Sequence, residues 1–132
     1  MISVIVPCKN RIEDLIKCIK SIEISMIKFL ETNLVDYEII IADDHSGQGF
    51  DEKVLANFPN ILICHSQGEG PGYARNDAFE LAKGEYIFFT DSDCEVDISW
   101  IENGYKALVD GNTIVQGNPC LFQKKNNLGN EE

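Results

Sequence analysis

An α/β fold with a Rossmann-like, mostly parallel sheet and helices on both faces is predicted by three features of this sequence. Short β-branched runs alternate with amphipathic helical stretches along most of the 132 residues. The connections between them are short, as βαβ units require. The strand-like runs are apolar at consecutive positions, as strands covered on both faces are. The length suits a single domain over residues 1–132, and a hydrophobic content of 44% is enough to bury a core.

Ile2-Ser3-Val4-Ile5-Val6, closed by Pro7, reads as a buried strand. Ile12, Leu15, Ile16, Ile19, Ile22, Met26 and Leu30 then recur every three or four residues, one apolar face of a long helix. Asn10, with Glu13 three residues on, predicts a capping pair at its start. Tyr37 to Ala42 is a second strand, running into Asp43-Asp44-His45-Ser46-Gly47. A short helix over Glu52 to Phe58 stops at Pro59-Asn60, and Ile61 to Cys64 is a third strand. The turn-rich Gly68-Glu69-Gly70-Pro71-Gly72 leads into a helix over Tyr73 to Lys83. Its inward residues are Ala74, Ala78, Leu81 and Ala82, with Gly84 as the C′ residue. Tyr86 to Thr90 is a fourth strand, running into Asp91-Ser92-Asp93. Asp97 or Ser99 caps a further helix ending near Val109, and Thr113 to Gln116 is a fifth strand. From Gln123 the chain is polar. That ending reads as a cut after the fifth strand, which would leave a sheet edge open to homo-oligomer formation.

The net charge of -11 repels phosphate backbones, which argues against nucleic acid as a partner and against direct docking on an anionic membrane. A phosphate-bearing ligand would need a local arginine, a ring of backbone N–H groups or a bound cation. The five cysteines are odd in number and no two form a CxxC pair, so a disulfide framework is not expected and a reducing cytoplasm is. No leader is expected ahead of Ile2, and no apolar run is long enough to span a bilayer. Peripheral association at the inner face of the membrane stays open.

Open α/β sheets bind ligands outside the carboxyl ends of their strands. The first strand delivers Pro7-Cys8-Lys9-Asn10-Arg11 there, the second Asp43-Asp44, and the fourth Asp91-Ser92-Asp93. Each aspartate alone could equally cap a helix or close a turn. Convergence of several is what points to a site. Asp91 and Asp93, two apart, point the same way in extended chain and repel each other unless a cation sits beside them. Hard carboxylate oxygens suit Mg2+ or Mn2+, which fill their remaining positions with phosphate oxygens.

Four motifs, in this order, resemble glycosyltransferase family 2. Ser3-Val4-Ile5-Val6-Pro7-Cys8-Lys9-Asn10 looks like its strand ending in Pro-x-x-Asn. Ile40-Ile41-Ala42-Asp43-Asp44-His45-Ser46 is similar to its hydrophobic-Asp-Asp-Gly-Ser turn. Gly72-Tyr73-Ala74-Arg75-Asn76 matches its Gly-x-Ala-Arg-Asn helix start, and Gly84-Glu85-Tyr86 leading to Asp91-Ser92-Asp93 matches its Gly-Glu-Tyr strand and Asp-x-Asp. The resemblance implies a GT-A-type fold and the donor-binding half of an enzyme of, for instance, polysaccharide biosynthesis. Such an enzyme moves a sugar from a nucleotide diphosphate to a glycan, lipid or protein acceptor, typically with inversion. It implies that Pro7 and Arg11 line the base and ribose, and that Asp44 accepts a hydrogen bond from one of them. Asp43 would be a turn residue. Asp91 would lie near the ribose and donor sugar, and Asp93 would contact Mn2+ or Mg2+. Arg75 would order the pocket through Asp91 or through the nucleotide.

His45 stands where the family has glycine, a position of positive φ that histidine tolerates better than most residues. His65 is expected to be a surface residue and Cys94 a spectator near the metal. The general base is expected beyond residue 132. Without it, the alternative is a module that holds nucleotide-sugar without turnover. A nucleotidyltransferase would carry a glycine-rich loop after the first strand, and Pro7-Cys8-Lys9-Asn10 has no glycine.

Overall fold

The computed structural model describes residues 1–111, 114–116 and 121–124. The elements run β1 (Ile2–Cys8), α1 (Ile12–Leu30), β2 (Tyr37–Asp43), α2 (Phe50–Asn57), β3 (Leu62–His65), α3 (Pro71–Leu81), β4 (Tyr86–Phe89), α4 (Trp100–Val109), β5 (Ile114–Gln116) and β6 (Leu121–Lys124). One sheet forms in the order β3-β2-β1-β4-β6-β5. The first four strands in that order are parallel, and the last two join antiparallel.

Strand alternation divides the core into two layers. Ile2, Val4, Val6 and Cys8 of β1 face the side covered by α1, α2 and α4, together with Ile39, Ile41 and Phe88. Ile5, Ile40, Ala42, Ile87 and Phe89 face the other side, where Ala74, Ala78 and Ala82 of the α3 segment lie on them. Alanines there let a helix sit close to the sheet. The prediction of helices on both faces is correct. No helix of the described residues is long and apolar enough to cross a membrane.

Several expectations need correction. Asn10 and Glu13 do not cap α1. Asn10 and Arg11 are both left-handed, at φ 57° and 53°, and the Asn10 side chain is spent on Gly47, its Oδ1 accepting that N–H at 2.8 Å. Leu30 and Leu81 are exposed, and Phe29 and Cys18 are buried in α1 instead. Gly84 is not a C′ residue, because α3 ends when Ala82 turns extended at ψ 135°. Neither Ser99 nor Asp97 caps α4 through a side chain bonded to its first turn. Asp97 Oδ2 accepts the Ser99 N–H at 2.9 Å, while its carbonyl accepts that of Trp100. The sheet does not stop at the fifth strand. β6 inserts between β4 and β5, so the fifth strand pairs antiparallel with the sixth and not with the parallel core.

Candidate active site

The chain builds β1, β2 and β3 outward to one side, then returns to place β4 on the other side of β1. The reversal between β1 and β4 is a topological switch point, and the crevice outside the carboxyl ends of such strands is where a ligand fits. Pro7 and Cys8 end one strand of this pair, and Asp91 follows the other.

Adjacent aspartates at the tip of β2 go opposite ways. Asp43 follows Ile39 and Ile41 toward the α2 side, where its Oδ1 accepts the Ser46 N–H at 3.1 Å and closes the turn. Asp44 follows Ala42 toward α3, where its carboxylate accepts the Gly70 N–H at 3.1 and 3.2 Å. Gly70 presents that N–H from φ 94°, a conformation that favours glycine. Both aspartates are buried, at 4% and 7% exposure, so their carboxylates are held rather than free to wander. His45 does adopt positive φ, at 61°, and its Nδ1 lies 3.2 Å from Asp44 Oδ1.

Three bonds tie the strand tips together. The Asn10 N–H donates to Ser46 Oγ at 2.7 Å, and Asn10 Oδ1 accepts from Gly47. The Asp44 N–H donates to the Cys8 carbonyl at 2.9 Å. The Cys8 thiol donates to the Asn10 carbonyl at 3.0 Å, and on the other side of β1 the Thr90 N–H donates to the Ile5 carbonyl at 3.3 Å. The Asp44 corner and the Asp91–Asp93 corner therefore flank the end of β1. Two interstrand steps separate them, about 10 Å. Burial pushes the Cys8 thiol up to about 11 and the Cys18 thiol up to about 12, so both are neutral, structural groups at neutral pH.

Asp91, Asp93 and Cys94 each offer one ligand atom, and these atoms lie within 4.8 Å of one another. Both aspartates are exposed, and the Cys94 N–H closes the turn onto the Asp91 carbonyl at 3.1 Å. Two hard oxygens in a wet corner suit Mg2+ or Mn2+. The thiol is too soft to be a preferred ligand of either, and it lies 3.6 Å from Asp93 Oδ1, as a weak donor to it. The loop is held from behind by one polar stripe on α1. Cys18 Sγ lies 3.5 Å from the Asp91 carbonyl, Ser21 Oγ accepts the Val96 N–H at 2.9 Å, and Ser25 Oγ accepts the Ile101 N–H at 3.0 Å.

Pro7 is buried opposite Ala42, on the face that Ile5 and Asp44 share. Arg11 is exposed and paired with Asp14 at 3.0 Å. Arg75 is half-buried in the second turn of α3 and makes no ion pair among the described residues, so its suggested link to Asp91 is not formed. His65 is more than the surface residue expected. Exposed as expected, it also stands between Asp43 and Asp51, where the register of β3 on β2 sets it beside Asp43, a pairing that leaves no local pattern in the sequence.

The sequence profile of glycosyl transferase family 2 matches residues 3–131. The chain belongs to that family. Among curated relatives, it is 32% identical to the GalNAc(5)-diNAcBac-PP-undecaprenol beta-1,3-glucosyltransferase of Campylobacter jejuni, covering 98% of this chain and 41% of that protein. It is 38% identical to the poly(ribitol-phosphate) beta-glucosyltransferase of Bacillus spizizenii, over 70% of this chain and 14% of that one. The family 2 chain thus spans less than half the length of either. Among solved structures it resembles the mannosyltransferase PcManGT of Pyrobaculum calidifontis in complex with GDP-Man and Mn2+, with TM-score 0.73 at 17% identity over 93% of this chain and 44% of that one. It also resembles S. aureus TarS 1-349 in complex with UDP, with TM-score 0.64 at 25% identity over 86% of this chain and 33% of that one. The GT-A-type α/β fold expected for family 2 is therefore the one the chain has.

Proposed function

We propose that this family 2 chain binds a nucleotide-diphosphate sugar across the tips of β1, β2 and β4 and serves transfer of the sugar to an acceptor hydroxyl with inversion. The observation that carries this reading is that two carboxylate corners flank the end of β1, Asp44 after β2 on one side and Asp91 with Asp93 after β4 on the other. Asp44 keeps acceptor capacity beyond its bond to Gly70 and takes an N–H or O–H of the base or ribose. Pro7 supplies an apolar wall, and Arg11 sits at its rim. Arg75, without an ion-pair partner among the described residues, is directed to the diphosphate. Asp91 lies toward the ribose and donor sugar. Asp93, with Asp91, would hold the divalent cation, which neutralises charge developing on the leaving diphosphate. The chain's own residues otherwise hold the donor in line for attack. The base that deprotonates the acceptor is assigned to the part of the relatives outside the match, and the acceptor is a glycan, lipid or protein hydroxyl.

Calorimetric titration with UDP-, GDP- and dTDP-sugars, with and without Mn2+, tests this. Binding of at least one donor is expected to require the cation, and Asp93→Ala is expected to remove the cation-dependent part while leaving the circular dichroism spectrum unchanged. Equal affinity for donor plus Mn2+ in that variant would sink the site assignment.

A further inference from the structure

A second titratable cluster lies beside the donor cleft, on the opposite face of the sheet tip. His65 ends β3 as the register partner of Asp43. Its Nδ1 lies 3.0 Å from Asp43 Oδ2 and its Nε2 lies 2.8 Å from Asp51 Oδ2. Asp51 belongs to the first turn of α2, so one ring ties together the ends of two strands and the start of a helix. Asp43 is nearly fully buried and uses its other oxygen to hold the Ser46 N–H, while Ser46 holds Asn10. The assembly borders a cavity of about 330 Å³ that His45, Glu52 and Ser66 also line.

The chemistry of the ring follows from its partners. A neutral imidazole has one N–H and would turn a lone pair toward one of the two carboxylates. Only the imidazolium donates to both. A metal ion accounts for the geometry less well. Asp43, Asp51 and His65 each offer one ligand atom within 4.8 Å of the others, but the two carboxylates sit at hydrogen-bond distance from opposite ring nitrogens, whereas an ion would take only one of those nitrogens. Asp43 and Asp44 are consecutive, so whatever orients Asp43 orients the peptide that carries Asp44.

We propose that His65 is a positioning residue of the donor site: as a cation bridging Asp43 and Asp51, it holds the Asp43–Ser46 turn that presents Asp44. Its functional consequence rests on the donor-site reading above. Desolvation of the ring pulls its pKa down, but the hydrogen bonds and charges of Asp43 and Asp51 together outweigh that and raise it above the ordinary 6.5. Those two carboxylates, one from β2 and one from α2, are the charged groups acting on the ring, with Glu52 and His45 on the wall of the same cavity. A raised folded-state pKa means that the bridge is fully formed below the unfolded value and is lost as pH rises through the folded one.

Separate readouts on the full chain keep the clamp and the donor site distinguishable. NMR titration of the ring reports its charge, hydrogen exchange at the Ser46 amide reports the turn, and titration with UDP and with GDP, each with Mn2+, reports the site. His65 is expected to titrate above 6.5. Ser46 protection should fall about ten-fold as the ring deprotonates, the scale of one charge-assisted hydrogen bond, and Asp51→Asn should produce the same loss at low pH. Nucleotide affinity is expected to fall in parallel. Ser46 protection that ignores both the ring's titration and Asp51→Asn overturns the clamp, and so does a ring titrating below 6.5. Protection that falls while nucleotide affinity stays constant overturns the positioning role. If neither nucleotide binds the wild-type chain while Ser46 protection still follows the ring, the donor-site reading fails and the clamp itself is upheld.

Discussion

At Gly84 the backbone passes so close to β1 that a side chain has nowhere to go. Its N–H donates to Ser3 Oγ at 2.8 Å, and an added Cβ would lie 2.5 Å from that oxygen, 2.7 Å from Ser3 N and 2.9 Å from the Ile2 carbonyl carbon. Two of those atoms are backbone of a central strand and cannot swing away. Ser3 Oγ also donates to Glu38 Oε2, which accepts the Lys83 N–H as well, so the crowding falls on a closed polar network. Gly84→Ala is therefore expected to destabilise the fold by about 1–3 kcal/mol, read as a lower urea midpoint with an unchanged slope. Unaltered stability would mean that the β1–β4 seam has slack. The sequence named Gly84 for the wrong reason, as a helix terminator, because close approach between residues 81 positions apart leaves no local pattern. The placement of Asp44, Asp91 and Asp93 at neighbouring strand tips was legible because the strand-tip rule needs only strand boundaries. His65 was not, since its meaning comes from carboxylates that the sheet and α2 bring to it.

Helix α1 does two jobs with two stripes. Leu15, Ile19, Ile22, Met26 and Phe29 fill the core, and the 3.6-residue period shows that stripe directly in the sequence. Cys18, Ser21 and Ser25 form the second, which accepts or donates along the segment from Asp91 to Ile101. Small polar residues at that spacing look like gaps in an apolar face, so their role emerges only once the loop lies against them. Ser25 supplies what Ser99 does not. Its buried hydroxyl accepts the Ile101 N–H, the second amide of α4, and so caps a helix from a neighbouring one. Ser25→Ala leaves a buried amide without its acceptor and is expected to cost about 1–3 kcal/mol. Thermal denaturation should show the loss, and Ser25→Thr, which keeps the hydroxyl, should recover part of it. Equal stability of Ser25→Ala and the parent would show that α4 is capped otherwise. The antiparallel β6 went unpredicted for a related reason. Leu121-Phe122-Gln123-Lys124 turns polar halfway and lacks the continuous apolar run that marks the equally short β3 and β4.

Across the whole molecule, a charge of -11 opposes the approach of any nucleoside diphosphate, and the cation corner offsets that only locally. The two contributions differ in range. At low ionic strength, where screening extends over about 30 Å, the ligand meets the field of the entire domain, whereas at physiological salt about 8 Å leaves it mostly the strand tips. Without a divalent ion, raising salt should therefore strengthen binding of UDP or GDP, because it removes repulsion from distant carboxylates faster than it weakens the contribution of Arg75. With saturating Mn2+, the same change should weaken binding, because the dominant contact has become an attraction between opposite charges. The sign of the slope of affinity against salt is thus expected to invert when Mn2+ is added, which calorimetry at a series of KCl concentrations reads directly. If affinity without the ion falls steadily with salt, Arg75 and its neighbours already make the cleft attractive to phosphate, and the acidity of the chain is not the problem the cation solves.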